Sequence, residues 1–213
     1  MPIGSWISEL LVITAAGAAG WLVGLASAWL TDCVMRLDGG PCRLPEGFLV
    51  RDPLVQGAVA ATWMTLATGG LSLQVCAAAL VSVPLVQAAV TDWRYGYVFT
   101  VVVGWGVAMS VALAPIAHVA APWAGVSGAA VGLVGMSLLR TLGRVAYAGA
   151  TMGRGDVLIA AMVGAAAGPE VFVALAVGLV LNGLLGLYVL RAKRSMVASM
   201  PYAPGLCAGG LEL

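Results

Sequence analysis

The chain has 213 residues, of which 62% are apolar and 9% charged, and its mean hydropathy is +1.03. Soluble domains carry about 25% charged residues, so a soluble globule is excluded, and runs of about 17 to 20 apolar residues predict an all-α polytopic membrane protein. Ten Lys and Arg against nine Asp and Glu leave a net +1, so no overall field points to nucleic acid or to an acidic partner.

Apolar runs bounded by Gly, Pro or charged residues predict seven transmembrane helices, at about 6–34, 54–70, 73–90, 98–116, 124–139, 157–167 and 171–190. No basic segment precedes the first, which therefore does not read as a cleaved signal peptide. The sixth has about 11 residues where about 20 cross a bilayer, so it must begin earlier, near Gly153, or lie partly sunk within the bundle. With seven spans, every cation (Arg36, Arg43, Arg51, Arg94, Arg140, Arg144, Arg154, Arg191, Lys193 and Arg194) falls on one side. The positive-inside rule makes that side cytoplasmic, with the N-terminus outside and the C-terminus inside. Without the sixth span the Arg191, Lys193 and Arg194 cluster would move outward, against the rule. The outer connections are short and almost uncharged, so no extracytoplasmic domain is expected.

Gly20-x-x-x-Gly24, Gly128-x-x-x-Gly132 and Gly164-x-x-x-Gly168 have the spacing that lets helix backbones approach closely in lipid, and packing is their whole expected role. Cys33, Cys42, Cys76 and Cys207 form no C-x-x-C pair. Cys76 is expected as a small apolar residue inside a helix and the others at membrane edges or in a loop, with no disulfide framework or zinc site. Gln87 and Asn182 are polar residues in spans, expected to bond neighbouring helices. His118, between Pro115 and Pro122, is expected as a solvated loop residue.

Ionisable groups at membrane depth are costly and are functional candidates by default. Solvation accounts for Glu9, Asp38, Glu46, Asp52, Glu170 and Glu212 in loops or at helix ends, and Arg36, four residues on, can neutralise Asp32. Asp92, in Val90-Thr91-Asp92-Trp93-Arg94, and Asp156, in Gly153-Arg154-Gly155-Asp156-Val157, remain. Both fall on the cytoplasmic side, before spans four and six, which run in the same direction and can pack side by side. Two nearby carboxylates cannot both ionise easily and can share one proton, the ionised one activating water and the protonated one polarising a carbonyl. Gly153 and Gly155 would let a substrate strand approach, and Asp156 at a helix start is favoured by the dipole. The competing reading pairs Asp92 with Arg94 or Arg144 and leaves Asp156 as a helix cap beside Arg154.

Gly153-Arg154-Gly155-Asp156 resembles the second motif of the prepilin peptidases (type IV leader peptidases), the G-x-G-D membrane aspartic peptidases, and Asp92-Trp93-Arg94 resembles the first. Pro201-Tyr202-Ala203-Pro204 is similar to a Pro-Phe-Gly-Pro stretch of that family. The resemblance implies a core over 54–213, preceded at 1–53 by a first helix and short cytoplasmic loop that form a reduced counterpart of the family's N-terminal domain. It further implies that Asp92 and Asp156 are catalytic and cut a basic leader from type IV prepilin-like or pseudopilin precursors in the bacterial inner membrane, with pilin-like precursors and the lipid bilayer as partners. Water attack implies no metal or other cofactor. The loop 36–53 holds Cys42 alone where bifunctional members carry two C-x-x-C pairs, so zinc binding and methylation are not implied. Two chain departures are Leu158 in place of a frequent Lys and the absence of Pro after Asp92. The alternatives are a presenilin-like intramembrane protease, although Thr91 stands where that group has Tyr, and a membrane assembly factor or transporter using the two acids.

Overall fold

The computed structural model describes residues 3–37, 50, 52–118, 121–147, 153–193 and 202–211. The chain divides into two compact units, Met1–Gln87 and Ala88–Leu213, and the boundary falls inside one helix. All regular structure among the described residues is helical.

The first unit holds α1 (Ile3–Leu37), α2 (Pro53–Ala67) and most of α3 (Leu73–Tyr95). Small residues let α1 and α2 touch: a Cβ on Gly20 would lie 3.0 Å from that of Trp63 and 3.1 Å from the Ala60 backbone, and one on Gly24 3.3 Å from the Gln56 backbone. This is the close approach expected of the first Gly-x-x-x-Gly pair. Asp52 caps α2 by accepting the Leu54 N–H at 3.1 Å, and Pro53 follows at the position where a missing N–H costs nothing. Asp52 is therefore a buried cap rather than a solvated loop acid, with 3% of its surface exposed. Asp32, also buried, accepts the Val50 N–H at 3.4 Å. Gln87 accepts from the Ser27 hydroxyl at 2.6 Å and donates to Thr31 at 3.0 Å, the interhelical bonding predicted for it.

The second unit continues α3 and adds α4 (Thr100–Ala117), α5 (Ala124–Tyr147), α6 (Arg154–Ala167), a 3-10 turn (Gly168–Glu170), α7 (Val171–Lys193) and α8 (Ala203–Leu211). α6 packs against α4, α5, α7 and α8, and its residues from Ile159 to Ala165 are all buried. The two explanations for its shortness both hold, since it begins at Arg154 and is sunk among its neighbours. Gly128 meets the backbone of Gly164, and Gly132 that of Ala160, so α5 and α6 cross in main-chain contact. Gly168, with φ +57, then breaks the apolar stretch between α6 and α7.

Seven helices stand where the sequence places them. Five stretches, Trp6–Cys33, Leu73–Tyr95, Thr100–Ala117, Ala124–Ala146 and Arg154–Tyr188, are long and apolar enough to cross a membrane. Large apolar side chains such as Trp105, Trp123, Phe172 and Leu184 face outward, as lipid-facing residues do. The chain is a multi-pass membrane protein. α2, with 15 residues, and α6, with 14, fall short of a bilayer's thickness by length alone.

Two further expectations need correction. Cys207 is not at an edge or in a loop but inside α8, 1% exposed. An eighth helix, α8, follows the seven. His118 is not simply solvated: at the end of α4, its Nε2 donates to the Ala166 carbonyl at 3.1 Å. Most of the loop 36–53, with Asp38, Cys42, Arg43, Glu46 and Arg51, lies outside the described residues, as do the Arg36 side chain, Arg194, Pro201 and Glu212.

Candidate active site

The two candidate acids are set on the ends of helices within the second unit. Asp92 lies in the last turn of α3, buried, beside Thr91. Gly96, at φ +63, donates its N–H to the Asp92 carbonyl at 2.8 Å and turns the chain out of the helix. Residues 97–99 then lead into α4, with the Tyr97 and Phe99 rings packed edge to face at 5.1 Å. Val98 of this connection rests against Gly155, where a Cβ would lie 3.3 Å from the Val98 Cβ. Gly155 thus brings the start of α6 against the connection that follows Asp92.

Asp156 is the third residue of α6, and its carboxylate accepts the N–H of Gly153 at 3.0 Å. The capping role weighed for Asp156 is real, and it leaves the rest of a half-buried carboxylate for other work. Two charges act on Asp156 through space: the like charge of Asp92, and the positive charge of Arg140 on α5. Arg140 is half-buried, and its Nε is enclosed without a hydrogen-bond partner among the described residues. Sequence reasoning placed Arg140 only among the topology-setting cations.

Asp92 is held from a different direction. Its Oδ2 accepts the Ala203 N–H at 2.9 Å, and the Tyr202 N–H donates to the same carboxylate. These are the unpaired amides at the head of α8, where the helix dipole also favours an anion. Backbone donors rather than Arg144, which is exposed, therefore secure this acid. Tyr202 in turn offers its carbonyl to the Asn182 side-chain amide of α7 at 2.9 Å. Burial and the nearby Asp92 carboxylate push the Cys207 thiol well up, so it serves packing rather than nucleophilic chemistry.

A model of the type IV leader peptidase family matches residues 78–190, just over half of the chain, and the matched segment includes Asp92, Gly153, Gly155 and Asp156. The chain belongs to the type IV leader peptidase family. Membership in a peptidase family implies a peptidase. No curated protein and no solved structure matches the chain. For a leader peptidase the arrangement has a ready chemistry: two carboxylates that feel each other's charge, each steadied by main-chain N–H groups, can hold one proton between them and act as paired acid and base.

Proposed function

We propose that Asp92 and Asp156 are the catalytic pair of an aspartic endopeptidase that removes the basic leader from type IV prepilin-like or pseudopilin precursors at the cytoplasmic face of a bacterial inner membrane. The observation carrying this reading is that two acids on separate helix ends inside the family-matched segment lie near enough for the charge of Asp92 to act on Asp156. In the reaction, the ionised carboxylate takes a proton from water as the water oxygen bonds to the scissile carbonyl carbon. The protonated carboxyl gives its proton to the carbonyl oxygen, forming a neutral diol. Collapse of the diol breaks the C–N bond, one carboxyl protonating the leaving nitrogen and the other recovering the diol's proton.

Orientation follows from charge. The cations share one side when seven segments span, and Asp92 and Asp156 lie on that side, where an uncleaved basic leader waits. Residues 1–53 then serve as a reduced N-terminal portion, and 54–213 as the peptidase core.

The test is cleavage of a pilin-like precursor by the protein reconstituted in liposomes, with the product's N-terminus read by mass spectrometry. The expected product begins just after the basic leader, and its mass also shows whether a methyl group has been added. A cut inside the apolar helix of the precursor would point instead to intramembrane proteolysis, and an intact precursor would overturn the proposal.

A further inference from the structure

Asn182 lies in the apolar length of α7, and 2% of its surface is exposed. A buried amide there is costly, and its ordinary justification is a bond to a neighbouring helix. Its partner is more specific than that. The Nδ2 group donates to the Tyr202 carbonyl at 2.9 Å, and Tyr202 and Ala203 are the residues whose N–H groups hold the Asp92 carboxylate. One peptide turn therefore joins a buried amide on α7 to a carboxylate on α3.

The rest of α8 is fitted to keep that turn in place. A Cβ on Gly205 would run into the Asn182 side chain, and one on Gly209 into the Ala174 carbonyl. From the other side, a Cβ on Gly178 would lie 2.9 Å from the Leu206 backbone. α8 thus rests main chain to main chain on α7, with Asn182 fixing its head. Asp156 needs no such device, because its donor, Gly153, belongs to its own helix start. Asp92 depends on a donor 111 positions along the chain.

We infer that Asn182, acting through the Tyr202–Ala203 turn at the head of α8, is a positioning residue that sets the Asp92 carboxylate for cleavage. The inference rests on the peptidase reading given above. Asp92 acts through space on Asp156 of α6 and on Cys207 of α8, and Arg140 of α5 acts on Asp156.

Asn182→Leu keeps the side chain's shape and removes its donor. In a full-length background with Cys33, Cys42 and Cys76 changed to alanine, Cys207 reports on the clamp by its rate of alkylation with N-ethylmaleimide. Asn182→Leu is expected to label about tenfold faster and to cleave the precursor about tenfold more slowly, the effect of losing one hydrogen bond that bears on a charged group. Its pH–rate profile is expected to be displaced along the pH axis, whereas a loss of folded protein would scale the profile without moving it. Ala203→Pro removes the N–H donated to Asp92 at a position where helices accept proline. It is expected to slow cleavage to a similar degree while Cys207 stays protected, separating loss of the donor from loosening of α8. Wild-type labelling of Asn182→Leu, or wild-type cleavage by either variant, overturns the inference and leaves the peptidase reading standing. Failure of the unsubstituted protein to cut the precursor overturns both.

Discussion

Asp92→Asn and Asp156→Asn are each expected to lower leader cleavage by about a hundredfold to ten-thousandfold, the span that positioned acid–base groups contribute. An amide can neither take a proton from water nor give one to the leaving nitrogen, so one change disables the pair. Both variants should remain folded. Asn at 92 keeps an oxygen facing the Tyr202 and Ala203 N–H groups, and Asn at 156 keeps one facing Gly153. Melting temperatures of the purified variants within a few degrees of wild type would show that chemistry, not structure, has been lost. Asp52→Asn is the matched control, because Asn caps a helix as well as Asp does and the cap on α2 belongs to the other unit; its cleavage rate should equal that of the unsubstituted protein. Cleavage by Asp92→Asn or Asp156→Asn at the rate of Asp52→Asn would remove the dyad.

Gly128→Val is expected to be the most damaging change outside the site. A Cβ at 128 would drive into the Gly164 carbonyl and stand 3.0 Å from the Gly168 carbonyl oxygen. Neither neighbour is a flexible side chain, so α5 and α6 must separate. Overpacking of this kind costs about 3 kcal/mol, equivalent to a fall of roughly 6–12 °C in melting temperature for a chain of this size. Cleavage should fall with it, because α6 carries Asp156 and α5 carries Arg140. Gly135, two turns further along α5, has nothing within 4 Å of its would-be Cβ, and Gly135→Ala should leave stability unchanged or raise it by about 0.5–1 kcal/mol. A thermal melt comparing the two variants checks this, and an equal effect at both positions would contradict the main-chain crossing.

The seven helices and the placing of the two acids at helix ends were readable because each leaves a side-chain signature: long apolar runs cut by Gly and Pro, close-packing glycine pairs, and carboxylates where carboxylates are expensive. Even the short sixth helix was readable once its alternatives were stated, since burial on all sides explains its length. α8 was not. Its stretch Ala-Pro-Gly-Leu-Cys-Ala-Gly-Gly-Leu carries three glycines and a proline, a poor helix sequence by propensity, and it is helical because those small residues let it lie on the backbone of α7. The donors to Asp92 escaped notice for a related reason, as a backbone N–H has no residue type to mark it. Pro201-Tyr202-Ala203-Pro204 drew attention as a motif, but nothing in its letters points to Asp92. His118 and Cys207 were misread because position along the chain does not reveal which carbonyl or helix closes over a residue in space.

The dependence of kcat/KM on pH, measured with the unsubstituted protein on one leader-bearing precursor, tests most directly whether Asp92 and Asp156 work as a pair sharing a single proton. A bell-shaped profile is predicted, because the reaction needs one carboxylate ionised and one protonated, and its two limbs belong to the pair rather than to either residue. A profile with a single limb, or none, would contradict the shared proton.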